Sequence, residues 1–127
     1  MLLHERKEKE MPKNDMRLLI YKILRYLYDC NKKGKIPNFS DMFKAGEMAA
    51  LPQSYVAQIL EELIDLGYIQ GCTITVCKEA TLIDLAADAR ITMKGVEFLT
   101  ENSGMKKAAK AAKEFEVILE GILAAAL

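Results

Sequence analysis

The stretch that decides the fold is LEELIDLGYIQGCTITVCKEATLIDL, residues 60–85. Its first part has apolar residues at helical spacing and stops at Gly67, where glycine favours the end of a helix. The residues from Tyr68 to Cys77 alternate in polarity and are rich in β-branched side chains, which predicts a strand. KEA then allows a turn, and TLIDL allows a returning strand. The stretch therefore predicts a helix leading directly into a β-hairpin, although no Asn-Gly or Asp-Gly pair sets the hairpin register.

A first helix is predicted well before this stretch. Asn14 and Asp15 are both suitable N-caps, because each offers a side-chain oxygen to the free backbone N–H groups. Apolar residues then recur at helical spacing from Met16, and we expect the helix to run to about Asn31. Cations near the negative end of the helix dipole and a glycine favour its termination there. These residues are Lys32, Lys33 and Gly34.

Three elements are expected between this helix and the hairpin. Ile36 precedes Pro37 and should be extended, as a short strand or a tie. Ser40 is the predicted N-cap of a brief second helix that ends at Gly46. Pro52 suits the first turn of a third helix, because its missing N–H has no partner there. The buried stripe of the third helix is Val56, Ile59, Leu60, Leu63 and Ile64.

Two more helices are expected after the hairpin. The Thr92 hydroxyl can cap the first of them, and residues 102–104 should end it. Ser103 can cap the last helix, which is predicted from about Met105 to the C-terminus. The inward-facing residues of the first of these helices are Val96, Phe98 and Leu99. Those of the last helix are Met105, Ala108, Ala109, Ala112, Phe115, Leu119, Ile122 and Leu123.

The order of elements predicts a mainly α (α+β) fold. Three helices followed by a two-stranded wing describe a winged helix-turn-helix, here with added C-terminal helices. We divide the chain into a flexible or helical N-terminal extension (1–13), a winged-helix domain (14–103) and a C-terminal helix (104–127) that serves packing or dimerisation.

Composition and charge limit the class of protein. The chain has 127 residues, of which 51% are hydrophobic, and a formal net charge of +0, which is typical of a soluble globular domain. The nearly apolar run from Val117 to Leu127 is too short to span a membrane, and the charged N-terminus does not resemble a signal peptide. We expect a cytoplasmic protein. The charge is uneven, with +5 in residues 1–35, −5 in residues 36–90 and 0 in residues 91–127.

Catalytic and metal-binding patterns are not evident in the sequence. Cys30, Cys72 and Cys77 have no C-x-x-C spacing, and the single histidine is His4, so neither a disulfide framework nor a zinc site is indicated. The chain has no glycine-rich phosphate loop and no nucleophile–base set. We expect no metal, no cofactor and no enzymatic activity.

Four motifs together resemble a known family. DLGYIQG, TLIDL, ITMKGVEFLTENS and MKKAAKAAKE, in this order, are similar to the YjcQ family of small proteins from bacteria and their prophages. The resemblance covers roughly residues 13–116. The chain departs from the family pattern in the leader before Met11 and in the apolar tail after Glu116. It implies a winged-helix-like fold with an added C-terminal helix, and it implies no biochemical activity.

DNA binding is the first functional hypothesis, because winged-helix proteins usually place the third helix in the major groove. With its apolar stripe buried, this helix should expose Gln53, Ser54, Tyr55 and Gln58, of which three can hydrogen-bond base edges. The same helix has no Lys or Arg and exposes three carboxylates, which opposes phosphate contact. These are Glu61, Glu62 and Asp65, and the alternative is a polar, solvated face.

Basic residues elsewhere are the candidate phosphate contacts. Lys32, Lys33 and Lys35 follow the first helix, and Lys78 lies in the wing. A stripe in the C-terminal region has helical spacing, although such charge runs are often only solvated. It consists of Lys106, Lys110 and Lys113.

The alternative hypothesis is a module that binds protein or a second copy of itself. The C-terminal helix has apolar residues beyond a single stripe, among them Val117 and Ala124, and a second apolar face favours pairing across a homodimer. Packing within one chain is the competing interpretation. The candidate dimerisation residues are Phe115, Ile118, Leu119, Ile122 and Leu123.

Overall fold

The computed structural model describes residues 15–102 and 114–125. In these residues the chain forms five helices and one antiparallel hairpin. In chain order they are α1 (Met16–Lys33), α2 (Phe39–Ala45), α3 (Gln53–Asp65), β1 (Ile69–Val76), β2 (Thr81–Ile91), α4 (Met93–Glu101) and α5 (Glu114–Ala125). The predicted α+β fold class is confirmed, and the arrangement is consistent with a winged-helix-like fold.

Helix α1 is the centre of the core and is capped at both ends. The Asp15 carboxylate accepts hydrogen bonds from the backbone N–H groups of Arg17 (2.9 Å) and Leu18 (3.4 Å). Gly34 ends the helix with a φ of 72°, a left-handed conformation that glycine adopts without steric cost. Its buried face includes several residues with no exposed surface: Leu19, Ile23, Leu24, Tyr26, Leu27 and Cys30.

Helix α2 begins two residues earlier than the sequence predicts. Its N-cap is Asn38, whose side chain accepts a hydrogen bond from the Asp41 N–H at 2.8 Å. Ser40 lies inside the first turn, so the prediction of Ser40 as the cap is wrong. Both residue types suit an N-cap, and the preceding Pro37 brings the chain into the helix at Asn38. The helix ends at Ala45, before Gly46, as expected.

The segment between α1 and α2 forms a tie, and the alternative of a short strand is wrong. Residues 35–38 have no strand conformation. Instead the Tyr26 hydroxyl accepts a hydrogen bond from the Asn38 N–H (3.1 Å) and lies 3.4 Å from the Asn38 carbonyl oxygen, to which it donates. A buried tyrosine therefore satisfies backbone groups that a strand would otherwise pair.

A buried ion pair fixes the connection between α2 and α3. Lys22 of α1 is 1% exposed, and its Nζ lies 2.7 Å from Oε1 of Glu47. Glu47 has a φ of 55°, a left-handed conformation that is uncommon for residues other than glycine. The ion pair thus holds a strained backbone against the core.

The hairpin forms the wing, and β2 is longer than predicted. Near the turn, Thr73 pairs with Asp84 and Val76 with Thr81, but at the base Gln70 pairs with Arg90. The register therefore shifts between Gln70 and Cys72, and residues 86–89 bulge from β2 opposite Gly71. The backbone hydrogen bond from Cys77 N–H to Ala80 O (2.8 Å) closes the turn.

Thr92 joins the wing to α4. Its hydroxyl accepts a hydrogen bond from the Gly95 N–H at 3.3 Å, which confirms the predicted cap. The same hydroxyl donates to the Gly67 carbonyl at 2.5 Å, so one side chain connects the end of α3 with the start of α4. Phe98 and Leu99 of α4 are partly buried against the core, as expected.

Helix α5 belongs to the same core as α1 and α2. Phe115, Leu119, Ile122 and Leu123 are buried within the protein's own core. Arg25 of α1 lies 3.1 Å from a Glu116 carboxylate oxygen and 3.2 Å from one of Asp29, which adds a charged tie at the start of α5. No helix in residues 15–102 and 114–125 is long and apolar enough to cross a bilayer.

Candidate functional site

The outer face of α3 carries the side chains predicted to approach DNA. Its inner face is buried against α1 and the base of the wing through a stripe that includes Val56, Ile59, Leu60 and Leu63. Burial of this stripe leaves three uncharged polar side chains exposed at the start of the helix. These are Gln53, Ser54 and Gln58.

The first turn of α3 has no side-chain cap. Pro52 occupies the N-cap position, one residue before the first turn in which the sequence predicts it, and makes no side-chain hydrogen bond there. The Tyr55 and Val56 N–H groups bond to the Pro52 carbonyl at 3.0 Å and 3.2 Å, which leaves the earlier N–H groups available to a ligand. The positive end of the helix dipole thus lies beside Gln53 and Ser54.

The second half of α3 is acidic. Glu61, Glu62 and Asp65 are all exposed, and they lie at least about 12 Å along the helix from Gln53, at about 1.5 Å per residue. The two ends of this helix therefore differ in character. Only the first turn can approach a phosphate backbone without direct carboxylate repulsion, since Gln58 lies one turn from Glu61 and Glu62.

Tyr55 is the one predicted contact on α3 that is partly withdrawn from solvent. Its side chain packs against the hydrophobic core. It therefore supports the position of the first turn more than it extends the exposed polar surface.

The lysines after α1 have different surroundings. Lys32 Nζ lies 3.5 Å from Asp29 Oδ1 and 4.2 Å from the centre of the Tyr28 ring, with its side chain 55% exposed. Lys35 is turned inward, since its Nζ donates to the Ile122 carbonyl at 3.1 Å. Lys33 is exposed. Lys32 and Lys33 are therefore open to a ligand, whereas Lys35 connects the α1–α2 loop to α5.

The remaining predicted cations divide between the wing and the undescribed part of the chain. Lys78 is exposed at the turn of the wing, next to Glu79. The predicted stripe of Lys106, Lys110 and Lys113 lies outside the described residues. The described residues carry 10 Lys/Arg and 15 Asp/Glu, a net charge of −5, so positive charge for a nucleic acid is sparse there.

The predicted dimerisation residues are already used within the chain. Four of the five are buried in the core, and Ile118 is partly buried against it. The outer side of α5 instead exposes Val117, Gly121 and Ala124 at a spacing that places them on one face. Val117 is 68% exposed, so a second copy would have to contact this outer face.

A cleft of about 640 Å³ lies beside the base of the wing, away from α3. The end of α1 and the loop after it form one wall, and the bulged part of β2 with the start of α4 forms the other. Ile36 and Met93 line it and are 65% and 75% exposed. Its charged lining residues are Lys32, Lys35, Asp88 and Arg90.

Sequence patterns do not predict this cleft, because it depends on the bulge of residues 86–89 and on the tie formed by residues 35–38. Two signals point toward it in retrospect. Ile36 is an apolar residue in an expected loop, and Met93 is an apolar residue directly after a helix cap. Exposed apolar side chains that lie together on a surface are typical of a site that a partner covers.

A family model described as YjcQ protein matches residues 21–117. The chain belongs to the YjcQ family. The match covers most of α1, the whole wing and the start of α5, and it confirms the resemblance seen in the sequence motifs. No curated protein and no solved structure matches the chain.

Two thiols of this YjcQ-family protein, those of Cys30 and Cys72, favour their neutral form. Burial raises the pKa of the Cys30 thiol, and burial with the nearby Asp84 carboxylate raises the pKa of Cys72 to about 11. Neutral thiols are poor nucleophiles and poor metal ligands. Within residues 15–102 and 114–125, no group of three or more His, Cys, Asp and Glu side chains is arranged to hold a metal ion.

Proposed function

We propose that this protein is a DNA-binding module similar to transcription regulators, without catalytic activity. In this proposal it acts in the cytoplasm and is of prophage origin. The observation that carries the proposal is the first turn of α3, which is uncapped and exposes Gln53 and Ser54 next to the positive end of the helix dipole, with Gln58 exposed in the next turn. Amide side chains of this kind bind adenine in the major groove through paired hydrogen bonds.

The proposed complex places only the first half of α3 in the groove. The carboxylates at Glu61, Glu62 and Asp65 stay near the rim, where they oppose phosphate and weaken binding. Lys78 of the wing and the exposed Lys33 are the available phosphate contacts. We therefore expect modest affinity with few released counterions.

The salt dependence of binding to random duplex DNA tests this proposal. With two or three phosphates neutralised, affinity should fall about 10- to 40-fold between about 50 mM and about 200 mM salt. Fluorescence anisotropy of labelled duplex measures it. Absence of binding at about 50 mM salt, with protein at tens of micromolar, contradicts the proposal, since non-specific affinities reach this range.

Substitutions on α3 decide whether this helix makes the contact. Gln58→Ala should weaken binding to a selected site, whereas Glu61→Gln with Glu62→Gln should tighten binding severalfold because it removes repulsion. Glu97→Gln on the exposed face of α4 is the matched control and should change nothing. Equal affinity for all of these variants means that DNA binds elsewhere on the chain.

A second candidate function is a non-enzymatic dimerisation module. It is favoured by the outer face of α5, where Val117 is 68% exposed and Gly121 has open space beside it. A groove of about 380 Å³ between α2 and α5 adjoins this face. The face can therefore accept apolar side chains of a second copy.

Light scattering tests the dimer on the full chain. If the protein is dimeric, Val117→Glu with Ala124→Glu should give monomers, and Glu120→Gln on the same helix should not. A chain shortened at Glu116 is unsuitable, because it loses Leu119 and Leu123 from the core. A wild-type protein that is monomeric at about 100 μM excludes this candidate, since homodimers of a stable kind associate well below that concentration.

A further inference from the structure

We propose that the cleft beside the base of the wing binds an extended acidic peptide of a partner protein, which goes beyond the proposed DNA contact. The cleft contains no residue of α3 among its described lining, so the two surfaces are separate. Its volume of about 640 Å³ lies within the range of natural ligand pockets.

Exposed apolar side chains indicate that something covers the cleft. Ile36 and Met93 are 65% and 75% exposed, yet both line the same concave surface. Val96 and Ile91 lie between the two walls and are partly buried. Apolar groups gathered in a concavity gain free energy when a partner side chain displaces water from them.

The charge around the cleft selects the partner. Among the described residues, three cations and one carboxylate line it: Lys32, Lys35, Arg90 and Asp88. The Asp29 carboxylate, 3.5 Å from Lys32 Nζ, offsets part of the Lys32 charge. The described part of the protein is net negative, so this concentration of cations is local. An acidic partner is complementary to it.

The edge of β2 favours an extended conformation for the partner. The Asn31 side chain donates to the Ala89 carbonyl at 3.2 Å and accepts from the Ile91 N–H at 3.0 Å. These are the two hydrogen bonds that the peptide group of a neighbouring strand would make. Asn31 therefore occupies these two outer-edge groups of β2 beside the cleft, and an extended peptide that pairs with the edge would take over its two hydrogen bonds.

A peptide fits these features better than DNA. The floor is apolar and concave, whereas a duplex presents a convex, uniformly charged backbone. Alternating acidic and apolar residues in an extended peptide would place carboxylates toward Lys32 and Arg90 and apolar groups toward Ile36 and Met93.

Selection from a random octapeptide display library on the full-length protein tests the inference. Peptides that bind should be enriched in Asp and Glu with interspersed apolar residues. Binding of the selected peptides, measured by fluorescence anisotropy, should weaken at least about tenfold for Ile36→Ser with Met93→Ser and for Lys32→Glu with Arg90→Glu. All four positions are exposed enough for these variants to fold, which thermal melting verifies.

Matched variants outside the cleft complete the design. Leu82→Ser is an exposed apolar control at 56% exposure, and Lys44→Glu is an exposed charge control. Neither should change peptide affinity. The inference is overturned by a library that yields no binders, by binders without acidic enrichment, or by equal loss in the control variants. It is equally overturned if cleft variants lose duplex DNA binding and leave peptide binding intact.

Discussion

At the scale of single residues, the buried Lys22–Glu47 ion pair stabilises the left-handed backbone conformation of Glu47. Moving two charges out of water is costly, and their attraction offsets the cost only when the geometry is close. The 2.7 Å contact meets that condition, and Phe115 adds its ring 5.8 Å from the Lys22 ammonium. The pair therefore fixes the left-handed Glu47 and, through it, the entry into α3.

The first prediction concerns this pair. Lys22→Met should lower the free energy of unfolding by about 3 kcal/mol, because it leaves the Glu47 carboxylate without its lysine. Adding Glu47→Gln should recover part of the loss, since the carboxylate charge that Lys22 faces is then absent. Urea denaturation of both single variants and the double variant measures the coupling.

A surface pair provides the control for this cycle. Arg17 Nε lies 3.6 Å from Asp15 Oδ1, but the Arg17 side chain is 66% exposed. Arg17→Met should therefore change stability by less than about 0.5 kcal/mol. Similar losses for Lys22→Met and Arg17→Met would show that burial does not strengthen the Lys22 pair.

Helix caps show how far residue-level prediction reaches. Thr92 is predicted correctly because it stands alone before an apolar periodic run. Asp15 is one of two adjacent residues predicted as the cap of α1, and the structure selects it. Asn38 and Ser40 are two suitable caps only two residues apart, and the sequence pattern cannot rank them. The Tyr26 hydroxyl, which bonds to the Asn38 backbone from a distant part of the chain, settles the choice.

At the scale of elements, the wing is the clearest case of partial prediction. The alternation of β1 and the following turn predict the hairpin, because period-2 patterns are local. The bulge is not local, since it depends on which residues of β2 face Gly71. At Gly71 the φ is 85°, and an added Cβ would lie 2.7 Å from the Ala89 Cα. The close approach of two backbones therefore requires glycine.

The second prediction compares two glycines with positive φ. Gly71→Ala should cost more than about 2 kcal/mol, because it adds a backbone clash to the conformational penalty. Gly34→Ala should cost only about 1 kcal/mol, because nothing lies within 4 Å of an added Cβ there. Urea denaturation of the two variants gives the comparison. A Gly71→Ala loss no larger than that of Gly34→Ala would contradict the close approach.

At the scale of the whole molecule, one core joins elements that the sequence suggests are separate. Phe115 and Leu119 of α5 fill space against α1 and α2, so the C-terminal helix completes the core. Amphipathicity alone cannot distinguish this packing from a dimer contact, because both need an apolar face. The cleft likewise follows from tertiary placement, since its walls come from residues 28–37 and 87–96.

The third prediction uses the thiol enclosed between the wing and this core. Burial and the Asp84 carboxylate raise the pKa of Cys72 to about 11, above its value in the unfolded chain. Its contribution to stability is therefore fully present below about pH 8.5 and is lost as pH rises toward the folded-state pKa. The loss should be at most about 2 kcal/mol near pH 10.5, since one pKa unit corresponds to about 1.4 kcal/mol and solvent screening at this partly buried thiol reduces the effect.

Urea denaturation at about pH 8 and about pH 10.5 for wild type and two cysteine variants isolates this contribution. The buried Tyr26, whose pKa burial also raises, adds to the alkaline decline of every form alike. Cys72→Val should show a decline smaller by at most about 2 kcal/mol, because valine cannot ionise in the unfolded chain. Cys77→Val is the matched substitution at an exposed thiol and should decline as wild type does. Equal declines in all three proteins would mean that Cys72 is hydrated in the folded state, and that the wing does not close over the core at that position.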